Sequence, residues 1–118
     1  MIVDDEEDVL GLMKKILEGD GHSVVLARSG QECLDILSAA KPDLVLLDVM
    51  MPHMDGKEVC RRIRANPQTR NRRVILFTVL EKQDIGTEFM QEQKISDFIS
   101  KPFSNKDILE KVRKAISR

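Results

Sequence analysis

Five polar side chains stand where apolar runs end. Asp4 and Asp5 follow Ile2-Val3, and Asp48 follows the unbroken run Leu44 to Leu47. Thr78 follows Val74 to Phe77, and Lys101 comes just after Asp97-Phe98-Ile99. A carboxylate at the end of a buried run is costly to desolvate unless something pairs with it. Three carboxylates drawn to one spot repel each other and call for a cation. Hard oxygen donors with few other ligands favour Mg²⁺, which keeps several waters and takes phosphate as a partner. No His or Cys ends these runs, which argues against zinc or copper. With the Thr78 hydroxyl and the Lys101 ammonium added, the set suits phosphoryl transfer. There the protein mainly positions groups and neutralises charge on the phosphoryl oxygens. Asp48 would be the nucleophile, forming an aspartyl-phosphate. Taken singly, each residue reads more simply as a solvated cap or loop residue. The argument rests on four runs delivering complementary chemistry.

Those residues need elements to hold them. Leu44 to Leu47 is a short apolar run bounded by polar residues, the pattern of a strand buried on both faces. Pro52 and Asp55-Gly56 mark a turn beyond it, so a stiff loop frames Asp48. Met1 to Val3 reads as the last half of a first strand, and acidic Glu6 to Asp8 suit the start of a helix. Val9, Leu12, Met13, Ile16 and Leu17 keep helical spacing up to Gly19 and Gly21. His22 to Ala27 is a less apolar strand, expected nearer an edge. Cys33, Leu34, Leu37 and Ala40 stripe a second helix that Pro42 stops. A third helix buries Val59, Cys60 and Ile63 and turns Arg61, Arg62 and Arg64 outward. After the Val74–Phe77 strand, residues 84 to 93 read as a weaker helix anchored by Ile85 and Phe89. Asp97 to Ile99 is a short strand. Ser104 then caps a clear amphipathic helix carrying Ile108, Leu109, Val112, Ala115 and Ile116. Strands alternating with helices predict an α/β fold, a doubly wound five-stranded parallel sheet covered on both faces. One reversal of winding opens a crevice at the carboxyl ends of the strands, where ligands bind in such sheets.

Composition narrows the classes. The 118 residues are expected to form one domain, 1–118, with a single core. Nineteen basic against 20 acidic residues leave a net charge of −1, with no general drive toward nucleic acid or membrane. No apolar run is long enough to cross a membrane, and no signal-peptide pattern opens the chain, so a cytoplasmic location is expected. Cys33 and Cys60 match no metal or redox spacing and read as buried thiols. Arg61, Arg62, Arg64, Arg70, Arg72 and Arg73 could form a basic patch, but a solvated helix face and loop is the simpler reading, and direct nucleic-acid binding is not expected. His53 has no second metal ligand at useful spacing. A flavin-binding domain of similar architecture would want a Ser/Thr/Gly-rich loop after strand one, and the acidic stretch Asp4 to Asp8 would repel its phosphate.

The chain resembles the receiver domain of two-component response regulators. The pieces that carry the resemblance are Val-Asp-Asp at 3–5, Leu-Leu-Asp at 46–48, Met-Pro at 51–52, Met-Asp-Gly at 54–56, Thr78, and Lys-Pro-Phe at 101–103. They span the whole chain, and each is weak alone. The resemblance implies a flavodoxin-like (βα)5 sheet of strand order 2-1-3-4-5. It implies that Asp48 accepts a phosphoryl group from a sensor histidine kinase or phosphotransfer protein. It implies Mg²⁺ held by Asp5, Asp48 and the backbone carbonyl of Met50, with Asp4 acting through a water. Thr78 and Lys101 would contact the phosphoryl group. Phe98 occupies the place of a switch aromatic that moves when Thr78 is drawn toward the phosphoryl oxygens, and the Lys101–Pro102 bond is usually cis. A downstream partner or output domain would read the change on residues 84–118. That last helix–strand–helix face also offers a surface for homodimerisation.

The sequence departs from the family at Val79, where Ala or Gly is common, and at Lys94-Ile95, where Gly-Ala is common. Only three residues precede Asp4, so the first strand is expected to be short. Met50 and Leu80 flank the path of an attacking water in this fold, and both are apolar, so slow self-dephosphorylation is expected. A receiver-like domain that never takes phosphate would be expected to lack an acidic residue, the Thr or the Lys, and this chain has them all.

Overall fold

The computed structural model describes residues 1–117. Strands β1 (Ile2–Val3), β2 (Leu26–Ala27), β3 (Leu44–Leu47), β4 (Arg73–Thr78) and β5 (Asp97–Ser100) alternate with helices α1 (Glu7–Gly19), α2 (Gly30–Ala40), α3 (Gly56–Ala65), α4 (Lys82–Ile85), α5 (Thr87–Glu92) and α6 (Asn105–Ile116). The strands form one parallel sheet in the order β2-β1-β3-β4-β5. This is the predicted α/β, doubly wound, flavodoxin-like arrangement.

Side-chain alternation along the strands builds a core on each face. Ile2, Leu44, Leu46, Ile75, Phe77 and Ile99 pack against α1 and α6 through Leu10, Met13, Ile108 and Val112. Val3, Val45, Leu47, Val74, Leu76 and Phe98 pack on the opposite face against Cys33, Leu37, Val59, Cys60 and Ile63 of α2 and α3. The unbroken apolar run of β3 is explained by this double cover, because all four of its residues are buried. The caps follow local chemistry. Ser29, Asp55 and Ser104 each accept from a backbone N–H three residues on, at Glu32, Glu58 and Asp107.

The winding reverses between β1 and β3. Chain connections on either side of that pair leave in opposite directions, which opens the crevice over their carboxyl ends. Leu46 N and Asp48 N donate to Met1 O and Val3 O at 2.8 and 3.0 Å, so Asp48 is pinned one step beyond Val3.

Two elements and one side chain differ from expectation. Pairing of β2 is limited to Leu26–Ala27 within the predicted stretch 22–27. The single helix expected over 84–93 is two, α4 and α5, divided by Gly86 at φ +97°. That conformation carries no steric cost for glycine, and glycine is a poor helix former. Arg64, expected to point outward, instead turns its guanidinium onto main-chain carbonyls of Gln93 at 2.7 Å, Arg70 at 2.9 Å and Arg72 at 2.7 Å. Burial holds its pKa below the usual arginine value.

Candidate functional site at the carboxyl ends of the strands

Each site residue is delivered by the end of a strand. β1 ends at Val3 and hands the chain to Asp4 and Asp5; β3 does the same for Asp48. Thr78 is the last residue of β4. Lys101 follows β5 directly, and its N–H donates to the Thr78 carbonyl at 2.9 Å, so the two are locked side by side. The Lys101–Pro102 bond is cis, as the resemblance implied.

The side chains converge. Lys101 Nζ lies 2.8 Å from Asp4 Oδ2 and 3.3 Å from Asp48 Oδ2, with Glu6 Oε1 at 4.0 Å. Carboxylate oxygens of Asp4, Asp5 and Asp48 all fall within 4.8 Å of one another. Asp4 is fully buried and Asp48 is 3% exposed, while Asp5 faces solvent. The other Asp4 oxygen accepts from Glu6 N at 3.0 Å, and the other Asp48 oxygen accepts from Met50 N at 3.2 Å. Asp48 is thus fixed by its own loop on one side and by Lys101 on the other.

Burial pushes the Asp48 carboxyl above the usual carboxylate range; the Lys101 charge opposes this and the neighbouring Asp4 adds to it. Burial works against the Lys101 ammonium, but its hydrogen bond to Asp4 and the charge of Asp48 outweigh that, so its pKa is raised. The site holds more negative charge than its single ammonium can balance. With three ionised carboxylates and Lys101, the formal sum is −2, the charge a divalent cation would cancel. The donors are hard oxygens gathered at short range, so the residues fit Mg²⁺.

The loop behind Asp48 is framed by Gly56. Its N–H donates to Val49 O at 2.8 Å, and a Cβ added there would lie 2.4 Å from Asp48 O and 2.7 Å from Val49 Cα. Only glycine lets the start of α3 lie this close to the backbone of Asp48. The sequence marked Gly56 as a turn residue and gave no hint of this contact. Glu6 was likewise read only as a helix-start acid, yet it is a third carboxylate within 4.0 Å of the Lys101 ammonium, after Asp4 and Asp48.

Other expected residues lie around this cluster rather than in it. Thr78 is buried at the adjacent strand end, its hydroxyl accepting from Leu80 N at 3.3 Å. Phe98 pairs in register with Leu76 and is 4% exposed in the sheet core, below the rim. Met50 and Val79 are exposed, at 53% and 64%. Met50 and Leu80 line a cleft with Val49 and Met51, to which Asp55, Lys57 and Asp84 add charge. His53, with φ +70°, belongs to no group of potential metal ligands among the described residues.

The response regulator receiver domain family matches residues 1–113. This chain belongs to that family. The receiver is 37% identical over 120 residues to response regulator MprA of Mycolicibacterium vanbaalenii, an alignment covering all of this chain and 50% of that protein. It is 34% identical over 118 residues to the alkaline phosphatase synthesis transcriptional regulatory protein PhoP of Bacillus subtilis, covering all of this chain and 48% of that one. The chain thus spans about half the length of the curated relatives it matches. Among solved structures, the signal receiver domain of a signal transduction histidine kinase from Syntrophus aciditrophicus superposes with a TM-score of 0.86 and 35% identity, over 98% of this chain and 87% of that one. A response regulator from Chloroflexus aurantiacus gives 0.89 at 29% identity, over 99% and 95%. Chemotaxis protein CheY4 of Vibrio cholerae shares the fold, with a TM-score of 0.89 at 23% identity, over 97% and 94%. Among the described residues of this receiver, no helix is long and apolar enough to cross a membrane.

Proposed function

We propose that residues 1–118 act as one phosphorylation-dependent switch in which Asp48 takes a phosphoryl group from the phosphohistidine of a sensor kinase or phosphotransfer protein. The observation that carries this reading is the cluster of Asp4, Asp5 and Asp48 oxygens within 4.8 Å, closed on one side by the Lys101 ammonium. In the transfer, an Asp48 oxygen forms the new O–P bond as the P–N bond breaks. The imidazole leaves with the electron pair. Lys101 is placed to meet charge on the phosphoryl oxygens, and the Thr78 hydroxyl donates to one of them. Asp5, Asp48 and the Met50 carbonyl would hold Mg²⁺, with Asp4 acting through a water. When bound, the ion offsets negative charge on the incoming phosphoryl group.

The switch then runs through Thr78. Its hydroxyl now accepts from Leu80 N, and turning it toward a phosphoryl oxygen breaks that bond and frees the loop after β4. Phe98 on the neighbouring strand follows into the space vacated. A downstream protein or output domain, in the cytoplasm, reads the altered surface within residues 84–118, and the same face is available to a second copy of the chain.

Incubation with acetyl phosphate and Mg²⁺, followed by intact mass measurement, tests this reading. One added phosphoryl group is expected, abolished by EDTA and by Asp48→Asn. A wild-type chain that gains nothing, or an Asp48→Asn chain that still does, overturns the assignment.

A further inference from the structure

We infer that Gly86 is a mechanical boundary: α4 moves with the phosphorylation site, whereas α5 is fastened to α3. Three independent sets of contacts carry this. First, Gly86 N donates to Lys82 O at 2.9 Å and Gly86 O accepts from Met90 N at 3.1 Å. Among the described residues, no backbone hydrogen bond joins 82–85 to 87–92. Each short helix bonds to the glycine and not to the other helix. A continuous helix would share its ladder across this point and move as one body.

Second, α4 is tied upstream. Leu80 N bonds the Thr78 hydroxyl, and Glu81 N bonds Asp84 Oδ2 at 3.0 Å, so a short stretch links the site to the first turn of α4. Ile85, 2% exposed, is its one core anchor.

Third, α5 is tied sideways to α3. None of its residues is fully buried, though Phe89 and Met90 pack on the same apolar cluster as Ile85. Its half-buried Phe89 lies under two cations of α3, with Lys57 Nζ 5.3 Å and Arg61 Cζ 5.6 Å from the ring centroid. Its C-terminal turn is gripped by Arg64, whose Nε donates to Gln93 O at 2.7 Å and whose Nη2 reaches Lys94 O at 3.4 Å. The same guanidinium holds the carbonyls of Arg70 and Arg72. Arg64 therefore joins the end of α3, the loop before β4 and the turn after α5 into one block.

A glycine at φ +97° with open space around it lets the two blocks rotate at small cost. The change that travels through the loop after β4 then stops at residue 86, and residues 87–94 stay with α3, while the response through Phe98 runs separately along β5. The division itself does not require phosphorylation. Its use in signalling rests on the function proposed above.

NMR-detected amide exchange on the full chain tests the boundary in two arms. In unmodified protein, Phe89→Ala should speed exchange over residues 88–95 by at least about tenfold and leave 82–86 unchanged. Arg64→Lys, which keeps the charge but loses the fork of donors, should act on the same residues and on 70–72. Equal acceleration on both sides of Gly86 would overturn the inference. In the second arm, acetyl phosphate and Mg²⁺ are added and the phosphoryl gain is followed by mass. Protection should change over 79–86 and not over 87–94. A phosphorylated chain in which both segments change overturns the boundary. A chain that gains no phosphoryl group refutes the role of Asp48 and leaves the first arm to decide the boundary.

Discussion

Gly56→Ala should damage the site through the backbone of Asp48. The added methyl would sit 2.4 Å from Asp48 O, 2.7 Å from Val49 Cα and 3.1 Å from Asp48 C. A carbon meets a carbonyl oxygen comfortably at about 3.3 Å, so something must yield by roughly 0.9 Å. All three neighbours are main chain, and none can rotate away. The start of α3 is itself fixed, by Gly56 N to Val49 O and by the Asp55 cap on Glu58 N. Overpacking of this kind costs about 1–3 kcal/mol. A displacement near 1 Å at a reacting group costs on the order of 10²-fold in rate. Asp48 sits 3.3 Å from Lys101 and within 4.8 Å of Asp4 and Asp5, so it has little slack to absorb such a shift. Gly30→Ala is the matched control. Its methyl would lie 2.6 Å from Val59 Cγ2 and 3.2 Å from Met54 Sδ, side-chain atoms that can move, and its three nearest neighbours include no main-chain atom. Urea unfolding with an unchanged slope should place both variants below wild type. Only Gly56→Ala should also lose phosphorylation rate from acetyl phosphate. If both variants phosphorylate at the wild-type rate, close packing at Gly56 does not set the position of Asp48.

Other consequences are more local. Burial pushes both Cys33 and Cys60 up to about 12. At pH 8 their thiolate fraction falls to on the order of 10⁻⁴, so the native chain should react with a disulfide reagent about 10³-fold more slowly than the urea-unfolded chain. Similar native and unfolded rates would contradict the burial. Hydrogen bonds from Arg113 hold Asp20 below the usual carboxylate range, with His22 on the same carboxylate. A depressed folded pKa means stability that is present above the ordinary carboxylate value and lost as pH falls through the folded one. The gap in urea midpoint between wild type and Asp20→Asn should therefore narrow as pH drops below about 4. A gap that widens in acid would have the wrong sign. Met50 is 53% exposed beside Asp48, so Met50→Asn should leave folding intact and shorten the life of the phosphorylated form by several-fold, by giving an attacking water a polar partner. A wild-type lifetime of seconds that the substitution leaves alone would exclude apolar shielding.

The fold was largely readable because its cues are local and repeated. Apolar runs in β3 and β4, stripes in α1 and α6, and the Ser104 cap each point to the same architecture. The convergence of Asp4, Asp5, Asp48 and Lys101 was readable because strand ends are fixed once the order of strands is known. What stayed hidden depends on distances between remote segments. Arg64 looked like its neighbours Arg61 and Arg62, which do point outward and pair with Glu58. Nothing in the sequence says that one arginine of three will find four carbonyls. Ile85 and Phe89 sit four residues apart, the spacing of one helix face, and that spacing masked the break at Gly86. The contact of Gly56 with Asp48 is also tertiary, since a turn glycine and a close-packing glycine read alike.

Lys101 brings these threads to a sharper test, because it acts on the carboxylates in two opposed ways. It cancels part of their charge, which weakens their hold on a cation. In the proposed transfer it also meets charge on the phosphoryl oxygens. Lys101→Met removes both effects and shifts them in opposite directions. The formal charge of Asp4, Asp5 and Asp48 with Lys101 goes from −2 to −3. Unit charges about 4 Å apart interact by about 4 kcal/mol at an effective dielectric constant near 20, an upper bound that partial protonation of the carboxylates reduces. Even a third of that gives roughly tenfold tighter Mg²⁺ binding by isothermal titration. The rate of phosphorylation should nevertheless fall, by on the order of 10²-fold, through loss of a charge that matters in the transition state. Tighter metal with slower chemistry separates a competing charge from a structural strut. Weaker Mg²⁺ binding in Lys101→Met would mean that the ammonium, 2.8 Å from Asp4 and 3.3 Å from Asp48, assembles the carboxylates rather than competes for them.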